Sequence, residues 1–327
     1  MNLKSQRVFF NLCFSISLAF NPVHARELIS GSDSLVSDNF TTNRLLDFPV
    51  LTNLATNPAM AGRSGHHSIN SNYNAQWLNQ VNNPKEFFIS YDVALGKKKV
   101  FSLGGTYSNR SFYLQKLQSF ELITAFKIST GRSSSFRLGA GISYNHKSDP
   151  DRNYSTYSNM IDPRYGYVYA NSEIPFKTYE KYINLKANAW FESKQFFSGL
   201  TVTNIHQKYF GTQEAPPGFI LEQLPVTYHL TAGYEIPLSG VLSTTPALQI
   251  EKTKTMDAAI TPSLFFIYRE KYMIGFAYSN LNSASFSAAV NLFKKYSLAV
   301  RSDFPLKEEL KQLSQVRYAE VALRILI

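Results

Sequence analysis

The chain has 327 residues, of which 44% are hydrophobic, 17% charged and 14% aromatic, and its formal charge is +10. A single cysteine, Cys13, excludes a disulfide framework, and no later apolar run reaches the roughly 20 residues that a membrane helix needs. There is no Lys/Arg-rich helical segment to meet nucleic acid, so no nucleic-acid partner is expected.

In chain order, Lys4 and Arg7 precede an apolar run from Val8 to Phe20, which ends at Val23-His24-Ala25. This predicts a signal peptide over 1–25. Cleavage there removes Cys13, and with it thiolate catalysis and Cys-ligated metal sites. Residues 26–62 read as a leader. Arg26 to Asp47 is polar and without period, and Thr56 to Gly62 spells TNPAMAG. Asn57-Pro58 starts a turn, because proline fixes φ and biases the residue before it away from the α region. Ala59, Ala61 and Gly62 are small enough to pack against a neighbouring backbone. Such a turn either braces the first strand or presents a surface to a partner.

Residues 63–327 divide into runs that alternate with period two. The clearest is Ile183 to Glu192: Ile183, Leu185, Ala187, Ala189 and Phe191 point one way, while Asn184, Lys186, Asn188, Trp190 and Glu192 point the other. The same reading predicts strands at 66–75, 86–95, 99–108, 119–129, 135–145, 183–192 and 195–203. Seven more follow at 225–236, 244–252, 257–268, 271–279, 284–293, 296–302 and 317–326. Fourteen is an even number, as a single-chain outer-membrane barrel requires. Alternate connections are tight turns, near Gly96, Gly131, Ser193, Pro237, Arg269 and Lys294. Most of the others are longer, at 76–85, 109–118, 146–182, 204–224 and 303–316. Short turns on one rim and long loops on the other match the periplasmic and extracellular rims of such barrels. With an even strand count both termini fall on the short-turn rim, which puts the 26–62 leader and its TNPAMAG turn in the periplasm or tucked into the barrel at that mouth.

A soluble β-sandwich also alternates. Its strands are usually five or six residues long, and a soluble fourteen-stranded barrel would surround a cavity needing a second core. The expected fold is therefore all-β: a transmembrane antiparallel β-barrel of about 14 strands in the outer membrane, in contact with its lipid. The chain is too short for a 22-stranded plugged transporter.

Several stretches form a recognisable set: NPAMAG (Asn57 to Gly62), Gln76-Trp77 with Pro84, FFSGLTVTN (Phe196 to Asn204), HLTAGYEI (His229 to Ile236) with Pro246, and IGFAYS (Ile274 to Ser279). Together they resemble the PorP/SprF family of outer-membrane proteins of the Bacteroidetes type IX secretion system. The resemblance implies a barrel that works with the secretion machinery to export or surface-anchor a particular secreted client, such as a gliding adhesin. It also makes Asn57, Pro58, Ala59, Ala61, Gly62, Gln76 and Trp77 candidate motif or partner-contact positions. The residues alone leave open a diffusion channel or apolar-solute transporter.

No catalytic, cofactor or metal site is expected. His66-His67 has no carboxylate at ligand spacing. Asp149, Asp151 and Asp162 lack the dense pattern of a Ca²⁺ loop, and no G-x-S-x-G occurs. Gly104, Gly105, Gly139 and Gly141 interrupt strands, as glycines do at bends or close backbone approaches. The best contact candidate is the tyrosine-rich loop carrying Tyr154, Tyr157, Arg164, Tyr165, Tyr167 and Tyr169, together with 204–224. Tyrosine offers rigid amphipathic area at low entropy cost. Such a loop either grips a client or folds back into its own barrel. Basic residues at the short turns (Lys97 to Lys99, Arg132, Lys194, Lys294 and Lys295) either meet anionic headgroups or are simply solvated.

Overall fold

Alternation along a strand places neighbouring side chains in two different solvents, and the architecture follows from that. The computed structural model describes residues 54, 57–76, 78, 83–112, 115–131, 133–148, 161–162, 166–167, 179–213, 224–254, 257–280, 283–293, 295–306 and 318–327. The expected signal peptide, most of the leader and Trp77 lie outside them.

Fourteen main strands form the wall. β1 is Ser68–Gln76, β2 Lys85–Leu95, β3 Phe101–Phe112, β4 Gln115–Ser129 and β5 Ser135–Ser148. β6 is Tyr179–Glu192, β7 Phe196–Gln213, β8 Thr227–Tyr234, β9 Leu242–Thr253 and β10 Ala259–Tyr268. β11 is Tyr272–Ser279, β12 Ser283–Leu292, β13 Tyr296–Pro305 and β14 Tyr318–Leu326. Ile236–Pro237 extends β8 past a break at Glu235 and pairs with Ser243 and Thr244. Every strand pairs antiparallel with its sequence neighbours. β1 also pairs with β14, from Ser68↔Leu326 to Gln76↔Tyr318, which closes the ring. Closure removes the free edges that an open sheet would expose in a bilayer.

Several strands outrun their sequence pattern at the long-loop rim. The expected 109–118 loop is mostly ladder, with Asn109 to Phe112 pairing Gln118 to Gln115. β6 begins at Tyr179, β7 continues to Gln213 and β13 to Pro305, which shortens three other expected loops. Beyond the bilayer a ladder needs only backbone partners, so apolar alternation is no longer required there. β7 bulges where it passes β6, and Asn204 takes φ 59 at that bend. Asn184 donates to Asn204 Oδ1 at 2.7 Å, and Asn204 Nδ2 donates to Pro225 O at 3.0 Å, holding the bend in place.

The two faces of the wall are inverted relative to a water-soluble protein. On β1, Ser68, Asn70, Asn72 and Asn74 face inward and are buried, whereas Tyr73 is exposed. On β4, Phe120, Leu122, Phe126 and Ile128 face outward and are exposed, whereas Glu121 is buried. Among the described residues that are buried, polar side chains outnumber apolar ones. Burying unpaired polar groups is costly in any fold, so the lumen is cross-linked. Arg110 pairs with Glu86 at 2.7 Å and Lys186 with Glu121 at 2.8 Å. Glu320 accepts from Asn72 at 2.8 Å and from the Tyr318 hydroxyl at 2.7 Å. A wall that is apolar outside and hydrogen-bonded inside is built for hydrocarbon around it.

Candidate functional site

The most built feature of the lumen is the turn at the head of the described chain. Pro58–Met60 forms a single 3₁₀ turn, with Asn57 as its N-cap. The Asn57 side chain accepts from the Ala59 N–H at 2.9 Å, and Met60 N–H donates to Asn57 O at 2.9 Å. Pro58 at the first turn position gives up no needed donor. Gly62 follows at φ 67, which glycine adopts without strain. Local chemistry therefore fixes the turn before it meets anything else.

The turn lies inside the barrel against β2 to β7, near the short-turn rim. Asn57 Nδ2 donates to two wall carbonyls, Ala189 O at 2.9 Å and Leu200 O at 3.4 Å. Gly62 N–H donates to Asp92 Oδ2 at 2.7 Å. Arg137 Nη1 donates to Ala61 O at 3.3 Å. Arg63 Nε reaches Glu192 Oε2 at 2.8 Å, and its guanidinium lies 5.9 Å from the Trp190 ring centre. Glu192 Oε1 is held by Ser135 at 3.1 Å and faces Arg137 at 3.7 Å. One carboxylate thus ties two arginines, one on the turn and one on the wall.

Glycines make room for this docking. A Cβ on Gly139 would lie 2.8 Å from Ala59 Cα and 2.9 Å from its nitrogen. A Cβ on Gly199 would lie 2.9 Å from Asn57 Nδ2, and one on Gly104 would lie 3.0 Å from Leu54. Three inward positions on β3, β5 and β7 are therefore bare where the N-terminal segment passes. Gly141 serves another contact, since a Cβ there would collide with Glu121 on its way to Lys186. Of the four glycines marked in the sequence, Gly139 meets the turn, Gly104 meets Leu54 and Gly141 meets the Glu121 side chain, whereas a Cβ on Gly105 would make only an ordinary contact with Glu121 O at 3.8 Å.

Apolar packing completes the seat. Leu54 and Ala61 pack with Ile123 and Ala125, while Ala59 and Met60 pack with Trp190. Trp190 stacks on Phe197 at 5.6 Å and covers Gly199. Phe197 in turn covers Gly233, and on the far wall Phe265 covers Gly275. These are cross-strand aromatic–glycine pairs, which restore packing where glycine leaves a gap.

Residues 47–322 match the family described as type IX secretion system membrane protein PorP/SprF. The chain belongs to the PorP/SprF family. It is an outer-membrane β-barrel. No curated protein matches it. Among solved structures it is similar to a TodX monoaromatic hydrocarbon channel mutant, with TM-score 0.49 and 9% identity over 83% of this chain and 92% of that one. It is also similar to the Ralstonia pickettii toluene transporter TbuX, with TM-score 0.46 and 10% identity over 83% and 92%. The translocator domain of the autotransporter NalP from Neisseria meningitidis gives 0.40 and 10% over 90% and 93%.

In this PorP/SprF barrel the candidate motif residues do not form one cluster. Asn57 to Gly62 sit near the short-turn rim, whereas Gln76 ends β1 at the long-loop rim, where its N–H donates to Pro84 O at 2.8 Å. Ala59, Met60 and Ala61 are fully buried, so a partner reaches these side chains only if the turn leaves the wall. Tyr154, Tyr157, Arg164, Tyr165 and Tyr169 fall outside the described residues. Tyr167 belongs to a two-residue ladder, Ile161–Asp162 with Gly166–Tyr167. Asp92, Arg137 and Glu192 were not singled out from sequence. The available signal was a charged residue at an inward position near the end of a strand. Among the described residues no group of three or more His, Asp or Glu is placed to hold a metal ion.

Proposed function

We propose that this barrel is a non-enzymatic accessory component of the type IX secretion system, helping to export or surface-anchor a particular secreted protein such as a gliding adhesin. Family membership supports the setting. The observation that carries the reading is the seating of the family's signature turn on a glycine-cleared inner wall. Hydrogen bonds to β2, β5, β6 and β7 hold those signature residues in the lumen near the short-turn rim, the side on which periplasmic machinery would meet the barrel. The long-loop rim, with the tyrosine-rich 154–170 stretch and the strand ends near 204–224, is the surface proposed to grip the client. The short-turn rim faces the periplasm, where the secretion machinery would meet it.

The test is cross-linking in intact cells followed by purification of the barrel. A large surface protein and secretion components are expected to co-purify, and deletion of 154–170 is expected to abolish client display while the barrel still assembles. Steady conductance of the purified barrel in planar bilayers, with unchanged display in the deletion, would favour a diffusion channel or apolar-solute transporter instead.

A further inference from the structure

Exposed cations gather on the short-turn rim beside lipid-facing apolar and aromatic side chains. Lys97 and Lys98 follow Leu95, Lys194 precedes Phe196, Arg269 and Lys271 lie between Tyr268 and Tyr272, and Lys295 adjoins Tyr296. All six are exposed, and the exposed carboxylates described on the same turns are Glu235 and Glu270. The Arg269 guanidinium lies 5.2 Å from the Tyr268 ring centre, and Lys271 Nζ lies 5.2 Å from that of Tyr272. One hairpin thus presents two ring–cation pairs at the edge of the apolar band. Its backbone is not arranged for ease: Arg269 has φ 52 and Glu270 φ 55, where a tight hairpin favours Asn-Gly.

A neighbouring turn adds a second observation. Phe293 has φ 52, uncommon for a bulky side chain, and is 88% exposed. Leu292 and Tyr296 flank it, and Lys295 N–H closes the turn onto Leu292 O at 3.2 Å. A layer that takes both a ring and a neighbouring ammonium group suits a phenyl ring held out in this way. Phospholipid headgroups with their upper acyl carbons are such a layer.

We infer that the short turns form a binding rim for anionic phospholipid headgroups of the periplasmic leaflet. The cations engage the phosphates, while Phe293 and the outward tyrosines seat at the headgroup–acyl boundary. Charge complementarity and continuity with the lipid-facing band favour lipid over an acidic protein, because each cation stands next to a side chain already facing hydrocarbon. The inference is independent of the secretion role, since it concerns the barrel in any bilayer.

The test uses the full mature protein in phosphatidylcholine vesicles with trace spin-labelled phosphatidylglycerol or phosphatidylcholine. Wild type is expected to prefer the anionic label at low salt by roughly fivefold or more, the contribution of a single basic residue near an anionic surface. The preference is expected to fall as salt rises and to disappear in K97Q/K98Q/K194Q/R269Q/K271Q/K295Q. Should that variant fail to insert, the salt series on wild type decides. Equal association of the two labels with wild type at low salt, or a preference indifferent to salt, overturns the proposal and leaves these cations simply solvated.

Discussion

Replacing Leu122 with arginine is expected to destabilise the barrel by about 2–4 kcal/mol, the penalty for a charge at mid-depth on a lipid-facing strand. Leu122 lies on β4 between Phe120 and Thr124 and is 60% exposed. For a soluble protein such a position is surface, and a polar substitution there would move stability by no more than about 0.5 kcal/mol. The two accounts therefore differ severalfold on one side chain. Urea unfolding in lipid vesicles measures it, with Leu122→Ala as the control for lost volume. A loss near zero for Leu122→Arg would mean that this face meets water.

The second large effect is expected at Gly139. Valine there places a Cβ 2.8 Å from the Ala59 backbone, and a main-chain clash cannot be relieved by turning a rotamer. β5 itself accepts valine readily, because its pairing with β4 and β6 is regular and the residue is β-branched. The expected result is an assembled barrel with a displaced turn. Overpacking of this kind costs about 1–3 kcal/mol. Trp190, buried beneath Ala59 and Met60, should report the change as a red shift in its emission. Gly131→Val is the comparison: it lies in the exposed β4–β5 turn, away from the seat, and should leave Trp190 unchanged. An unshifted Trp190 in Gly139→Val would show that the turn does not rest on that glycine.

The wall was legible in the sequence because each strand separates two solvents, so period-two alternation survives even though the average hydropathy is near neutral. Its upper limits were not legible. From Asn109 to Phe112 and from Ile205 to Gln213 the strands rise past the apolar band, and polar side chains there serve either a loop or a ladder. The turn was legible as a turn, since Asn-Pro, two alanines and a glycine settle its local shape. Its seat was not. Asn57 meets Ala189 across 132 residues and Arg63 meets Glu192 across 129. No local pattern encodes such pairings. Gly104 and Gly139 announced that something approaches closely, yet a missing side chain does not identify its visitor. Arg137 and Glu192 were equally silent, because an inward charge near a strand end reads the same whether it faces water or holds another segment.

The account rests on the signature turn lying inside the barrel rather than projecting from it, and the chain's only cysteine, Cys13, leaves the region free for a single engineered thiol. The decisive measurement is the maleimide labelling rate of Ala61→Cys in the folded mature protein, compared with Lys98→Cys on the exposed β2–β3 turn. Ala61 is fully buried and packs with Leu54, Ile123 and Ala125, so its cysteine should stay unlabelled while the Lys98→Cys thiol reacts freely, and combining it with Gly139→Val should restore labelling. A thiol at position 61 that reacts as fast as the one at position 98 would place the turn outside the lumen and contradict the account.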